Sequence, residues 1–216
     1  MRHFRMASTM INWFKKRKHK VYREIILKAF PRTLKEDVEV VLDILPFAIN
    51  DVKLCDGKIY KVDTLIHPEF LSVRLDNEIL TIPTRIYINE PDKEQENKLT
   101  DTQKIILNCI FLRHHNGYIR QSHLEKLVDR TEYWTTPFMF QLLGEYIFEI
   151  LEVLDKHVND KHVDNYKRFA KENLKYWQQT ESRMISYWNE YYRQKNPKLK
   201  DYIGQQITNR IKKAIA

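Results

Sequence analysis

The stretch PFMFQLLGEYIFEILEVLDKHV, residues 137–158, limits what this chain can fold into more than any other segment. Nearly every residue from Phe138 to Leu154 is apolar, and with about 100° of turn per residue Gln141, Glu145, Glu149, Glu152 and Lys156 fall on one narrow stripe. A helix of that kind has to sit at the centre of a bundle, enclosed on most sides. Its carboxylates then need partners, because an unpaired buried charge costs several kcal/mol.

The nearest upstream supply of cations is FLRHHNGYIRQSH, residues 111–123. The pattern predicts that Glu145 or Glu149 meets Arg113, Arg120 or a histidine across a helix interface. The expected polar network is Arg113, Asn116, Tyr118, Arg120 and Glu145, and the candidates for catalysis are His114, His115, Glu145 and Glu149. Two readings stay open: an ion pair that fixes helix register, or a titratable site in a cleft. Gly117 is expected to be the left-handed residue that closes the preceding helix.

Elsewhere the signals are local. Ser8 or Thr9 can cap a first helix that Pro31 stops, and residues 38–49 fit either a short helix or a strand, with a helix ending near Pro46 the expected form. Asp56-Gly57 and Asp76-Asn77 each join two β-prone runs, which predicts a small antiparallel meander of three or four strands. Pro83 has no N–H for a ladder, so its strand belongs at an edge or a bulge. The polar run EPDKEQENK, residues 90–98, reads as a linker between a part covering 1–98 and a helical part covering 99–216, or as a loop within one compact domain.

Thr100 and Gln103 match a capping box at the start of a helix running to about Arg113, and a second helix follows through HLEKLV. From His162 a long, basic, aromatic-rich helix runs to Asn196-Pro197, with a final helix beyond. Trp177, Met184 and Tyr191 recur every seven residues, as a packing stripe does. The expected class is α+β, predominantly α-helical: a helical bundle around a central apolar helix, with a small β-meander.

Charge is distributed unevenly. Residues 1–36 carry 11 Lys/Arg against 2 Asp/Glu, residues 37–160 carry 13 against 22, and residues 161–216 carry 13 against 5. Basic ends can cover an acidic middle, or can hold an anionic partner such as nucleic acid. In the second case Lys15, Lys16, Arg17, Lys18, Lys20, Lys195, Lys198 and Lys200 would contact phosphates without reading bases. A recognition helix is not expected, since Phe138, Met139, Phe140, Leu142 and Leu143 offer base edges nothing polar.

Several function classes find no support. The chain has no GxSxG, Walker A, GxGxxG or HExxH motif, and its four glycines leave little for a phosphate-cradling loop. Glu145-x-x-x-Glu149 lacks the histidine three residues on that a di-iron site uses, so no metal or cofactor is expected. Cys55 and Cys109 form no CxxC pair, and no apolar run reaches the roughly 18 residues of a membrane span. The expectation is a cytoplasmic, non-enzymatic binding or accessory module, with a protein partner or self-association as further options. A nucleic-acid-associated protein is the first alternative, and an enzyme or metal-binding protein built on the His/Arg/Glu cluster the second.

RHHNGYIRQ and PFMFQLLGEYIFEI resemble a group of uncharacterised bacterial proteins with an RHH-x-GY-x-R stretch before a PF…LLGEY helix. The likeness covers about residues 101–155 and carries no known activity. It implies that Arg113, His114, Gly117, Tyr118, Arg120, Gly144 and Glu145 belong together, as a network or as a site.

Overall fold

A computed structural model describes residues 18–53 and 57–215. Helix α1 covers residues 18–27 and unwinds just before Pro31, the ring that cannot continue it. Tyr22, Ile26, Ala29 and Phe30 are buried at helical spacing, while Lys18 and Lys20 stay exposed. The start of this helix at Ser8 or Thr9, and Lys15, Lys16 and Arg17, lie outside the described residues. Phe30 stacks on Phe138 at 4.8 Å, which ties the first helix to the middle of the chain.

Helix α2, Lys35–Ile44, buries Val38, Val41 and Leu42 and packs against α4, Asp101–Phe111. The capping box at the start of α4 is complete: Thr100 Oγ1 accepts from the Gln103 backbone N–H, and Gln103 Oε1 accepts from the Thr100 N–H. Between α2 and α4 lie strands β1 (Asp51–Lys53) and β2 (Ile59–Lys61), then β3 (Phe70–Leu75) and β4 (Glu78–Pro83). Asp76, at φ +54°, and Asn77 make the expected two-residue turn between Leu75 and Glu78, whereas Gly57, at φ +81°, belongs to a longer connection, residues 54–58, between Lys53 and Ile59. The strands form two separate two-stranded sheets instead of one meander. The β3–β4 hairpin buries Val73, Leu75, Leu80 and Ile82, whereas β1 buries Val52 and β2 is exposed along its length. The polar run at 90–98 contains a short helix, α3 (Lys93–Asn97), rather than an open linker.

The largest departure concerns the apolar stretch. In place of one helix from 137 to 158 there are α6 (Thr136–Phe140), a 3-10 turn (Gln141–Gly144), extended backbone at Glu145 (φ −90°, ψ 153°) and α7 (Phe148–His157). The carboxylate stripe therefore does not exist across the break. The break falls at Gly144, where a Cβ would lie 3.1 Å from Arg183 Cδ: the missing side chain leaves room for the Arg183 stem of α9 (Leu174–Tyr187).

The C-terminal helix is also interrupted. Helix α8 (Val163–Glu172) ends at Asn173, whose side chain accepts from the Arg74 N–H and donates to the Arg74 and Phe169 carbonyls. Docked on β3 in this way, Asn173 cannot continue the helix. Phe140 sits among Tyr166, Phe169, Tyr176 and Trp177, which turns the basic segment's aromatic residues inward. A π-turn at Trp188–Tyr192 then shifts the register, and of the seven-residue series Trp177 and Met184 are buried whereas Tyr191 is 56% exposed. Helix α10, Ile203–Ile215, returns across α7 and α8. Of the described residues 59% are helical, an α+β fold in which helix dominates. One apolar cluster runs from Tyr22 to Ile211, and no helix among the described residues is long and apolar enough to cross a membrane.

Candidate functional site

The polar residues singled out in 111–123 converge where the segment after β4 meets the end of α4. His115 N–H donates to the Ile86 carbonyl and Ile86 N–H to that of Arg113, at 3.0 and 2.9 Å. This small parallel bridge fixes the backbone around His114. Asn116 then caps α5 (Gly117–Glu125), its side chain accepting from the Tyr118 N–H. Gly117 is thus the first residue of α5, not a left-handed C-cap. Its conformation is ordinary, and the glycine answers to space: a Cβ would lie 2.3 Å from Ile147 Cδ1.

Arg120 is the centre of the network, only 2% exposed. Its Nη1 donates to the His114 and His115 carbonyls at 2.7 and 3.1 Å, and its Nη2 to Glu145 Oε2 at 3.0 Å. The ion pair foreseen between the two segments is present, made by a residue on extended backbone. Arg113 is buried separately, donating to the Phe138 carbonyl and lying over the Phe138 ring. Burial lowers it to about 10, which still leaves it charged at neutral pH. Tyr118 stands apart from the network with 76% of its surface exposed, and Glu149 is exposed as well.

The adjacent histidines lie with ring centroids 4.3 Å apart. His114 Nδ1 accepts from the Asn116 N–H at 3.1 Å, so in the neutral ring the proton sits on Nε2, a buried atom with no partner. His115 Nε2 faces the Lys53 carbonyl at 3.3 Å, which only a donor can satisfy; its buried Nδ1 is then a free acceptor. Burial, followed by the neighbouring His115, brings His114 down to about 3, and burial lowers His115 too. Both rings are neutral at physiological pH.

His114 lines a cleft of about 430 Å³ together with Lys53, Asn89, Glu90, Asn116 and Tyr118. His115 lines a second of about 280 Å³ with Tyr118, Gln121, Tyr146 and Glu149. Tyr118 belongs to both. A larger cleft of about 530 Å³ lies between the end of α1 and β4, but its Arg32 and Glu78 are engaged with each other.

Lys53, Tyr87, Glu90 and Tyr146 were not singled out from sequence. Glu90 reaches His123 Nε2 at 3.0 Å, Tyr87 stacks on His115 at 5.2 Å, and the bridge at Ile86, with Arg85 Nη1 donating to the His114 carbonyl at 3.3 Å, ties that segment here. Lys18, Lys20, Lys195, Lys198 and Lys200 are all exposed and outside this network. Among the described residues no group of three or more His, Cys, Asp or Glu is arranged to hold a metal ion. Cys109 is wholly buried, and burial pushes its thiol far above the usual range. Compared with family models, curated proteins and solved structures, the chain matches none.

Proposed function

We propose that this chain is a non-enzymatic binding module whose seat is the pair of clefts meeting at Tyr118. The observation that carries the reading is the His114 Nε2–H, a buried donor without an acceptor in the wall of a cleft. An unsatisfied buried polar group costs about 1–3 kcal/mol, and a ligand that supplies the acceptor recovers it. The 430 Å³ cleft lies within the range of about 300–1,000 Å³ in which small ligands bind. His115 Nδ1, in the wall of the smaller cleft, is the complementary acceptor there, so a ligand that reaches both clefts is neutral and carries an acceptor for one and a donor for the other.

Acid/base catalysis fits less well. A ring held near 3 is a poor base at neutral pH, and Glu145 is committed to Arg120. A cytoplasmic setting belongs to the same reading, in keeping with the buried thiol of Cys109.

The test is to follow the imidazole nitrogen resonances while adding neutral probes: acetamide, glucose and uridine. A saturable shift of His114 Nε2 with at least one of them, lost in His114→Phe, is the expected result. Resonances that stay fixed with all three would remove the basis for the reading.

A further inference from the structure

The smaller cleft opens onto a row of tyrosines. Tyr146, in its wall, has ring centroids 5.8 Å from both Tyr187 and Tyr191, and Tyr191 lies 6.5 Å from Tyr192. The Tyr192 hydroxyl donates to the Tyr146 carbonyl, which pins the row to the start of α7. Tyr118, Tyr146 and Tyr191 expose 76%, 48% and 56% of their surface, more than the exposed aromatic residues Tyr60 and Phe70 on the strands.

At the far end the row runs into basic residues. Arg193 lies over the Trp188 ring at 5.7 Å, and Lys195, Lys198 and Lys200 are exposed without an acidic partner among the described residues. The acids on this face are Glu190, Glu149 and Asp201; Asp201 follows Lys200 at the end of the basic run, and Glu149 sits in the cleft itself. A carboxylate beside an amide (Gln121) and an imidazole suits the hydrogen-bonding edge of a base, whereas the lysines suit phosphates.

We propose that this face binds a single-stranded polynucleotide, with one base in the His115–Tyr118–Tyr146 cleft, further bases against Tyr191, and phosphates along Arg193 to Lys200. The proposal rests on the binding-module reading for the cleft and extends it to a ligand class. Tyrosine faces are free to stack only on bases that are not already stacked in a duplex, which is why the partner is single-stranded. Aromatic platforms beside a positive track are the usual means of holding such strands without sequence preference.

The experiment measures anisotropy of labelled 12-mers of oligo-U and oligo-dT with the full chain, beside a duplex of equal length and uridine alone. Four phosphate contacts predict a log–log salt slope of about −3 for a single strand. Lys195→Glu, Lys198→Glu and Lys200→Glu together should reduce it to below about −1 in magnitude, leaving uridine binding intact. Tyr118→Ala and Tyr191→Ala should each weaken oligomer binding about five- to 150-fold in protein that circular dichroism shows to be folded. The oligo-U and oligo-dT arms tell RNA from DNA.

Oligomers that bind no tighter than uridine overturn this inference while leaving the binding-module reading in place. If uridine, acetamide and glucose also fail, both fall. Salt-dependent binding that is indifferent to both tyrosine variants, or equal on duplex, overturns the stacking geometry. So does preferential binding to phosphatidylserine-containing vesicles, which would make the aromatic and basic face a membrane surface.

Discussion

Glu145→Gln should destabilise the protein by about 3 kcal/mol, through loss of a charge rather than of volume. The carboxylate is 3.0 Å from Arg120 Nη2, and the two side chains are 10% and 2% exposed. With charge centres about 4 Å apart and an effective dielectric constant near 20, the attraction is about 4 kcal/mol. Glutamine is easier to bury and its amide oxygen still accepts from Nη2, which returns part of that. Arg120→Met should cost more, about 4–5 kcal/mol, since it also removes the donor to the His115 carbonyl and leaves the His114 carbonyl with only the longer bond from Arg85.

Urea unfolding of both single variants and of the Arg120→Met/Glu145→Gln double variant closes a cycle, for which a coupling of about 2 kcal/mol is expected. In thermal melts Glu145→Gln should lower Tm by about 6–12 °C. A Glu145→Gln variant within about 0.5 kcal/mol of wild type, with no coupling in the cycle, would refute the claim that this pair holds the bent segment.

Other perturbations follow from single features. Gly57→Ala has open space around its new methyl, so the expected loss of about 1–2 kcal/mol is the cost of a left-handed residue alone, and Gly57→Asn should recover most of it in denaturant melts. Asn173→Ala removes one bond accepted from and one donated to Arg74, and should cost about 2 kcal/mol and speed hydrogen exchange at the Arg74 amide. His114 and His157 are lowered by burial to about 3 and about 4, below their unfolded value near 6.5. The unfolded chain therefore binds more protons, and stability present above pH 6.5 declines as pH falls, by up to about 1.4 kcal/mol per pH unit per ring. His157→Phe should flatten that acid limb, and a melt series between pH 7 and 4 reads it directly.

What the sequence determined by itself is whatever depends on a few adjacent residues. The Thr100–Gln103 box, the stop at Pro31 and the turns at Gly57 and Asp76 are set by local hydrogen bonding and by backbone angles that few residues adopt. The need for a cation near Glu145 was also legible, because a carboxylate in apolar surroundings demands one wherever the chain goes. Gly144 was the visible warning that the apolar stretch would not stay helical.

Tertiary structure decided the rest. Whether Gly144 is a kink or a mere weak point depends on the Arg183 stem crossing it, and α9 lies some forty residues further along the chain. Glu90 and Tyr87 join the histidines through long-range contacts, among them the backbone bridge at Ile86, formed across a sequence gap that no local signal spans. Tyr191 is exposed because a π-turn rotates it off a stripe that spacing alone would have buried. Spacing reports which residues share a face while a helix is continuous; contacts from distant segments determine where it breaks, and so which side chains face solvent at the candidate site.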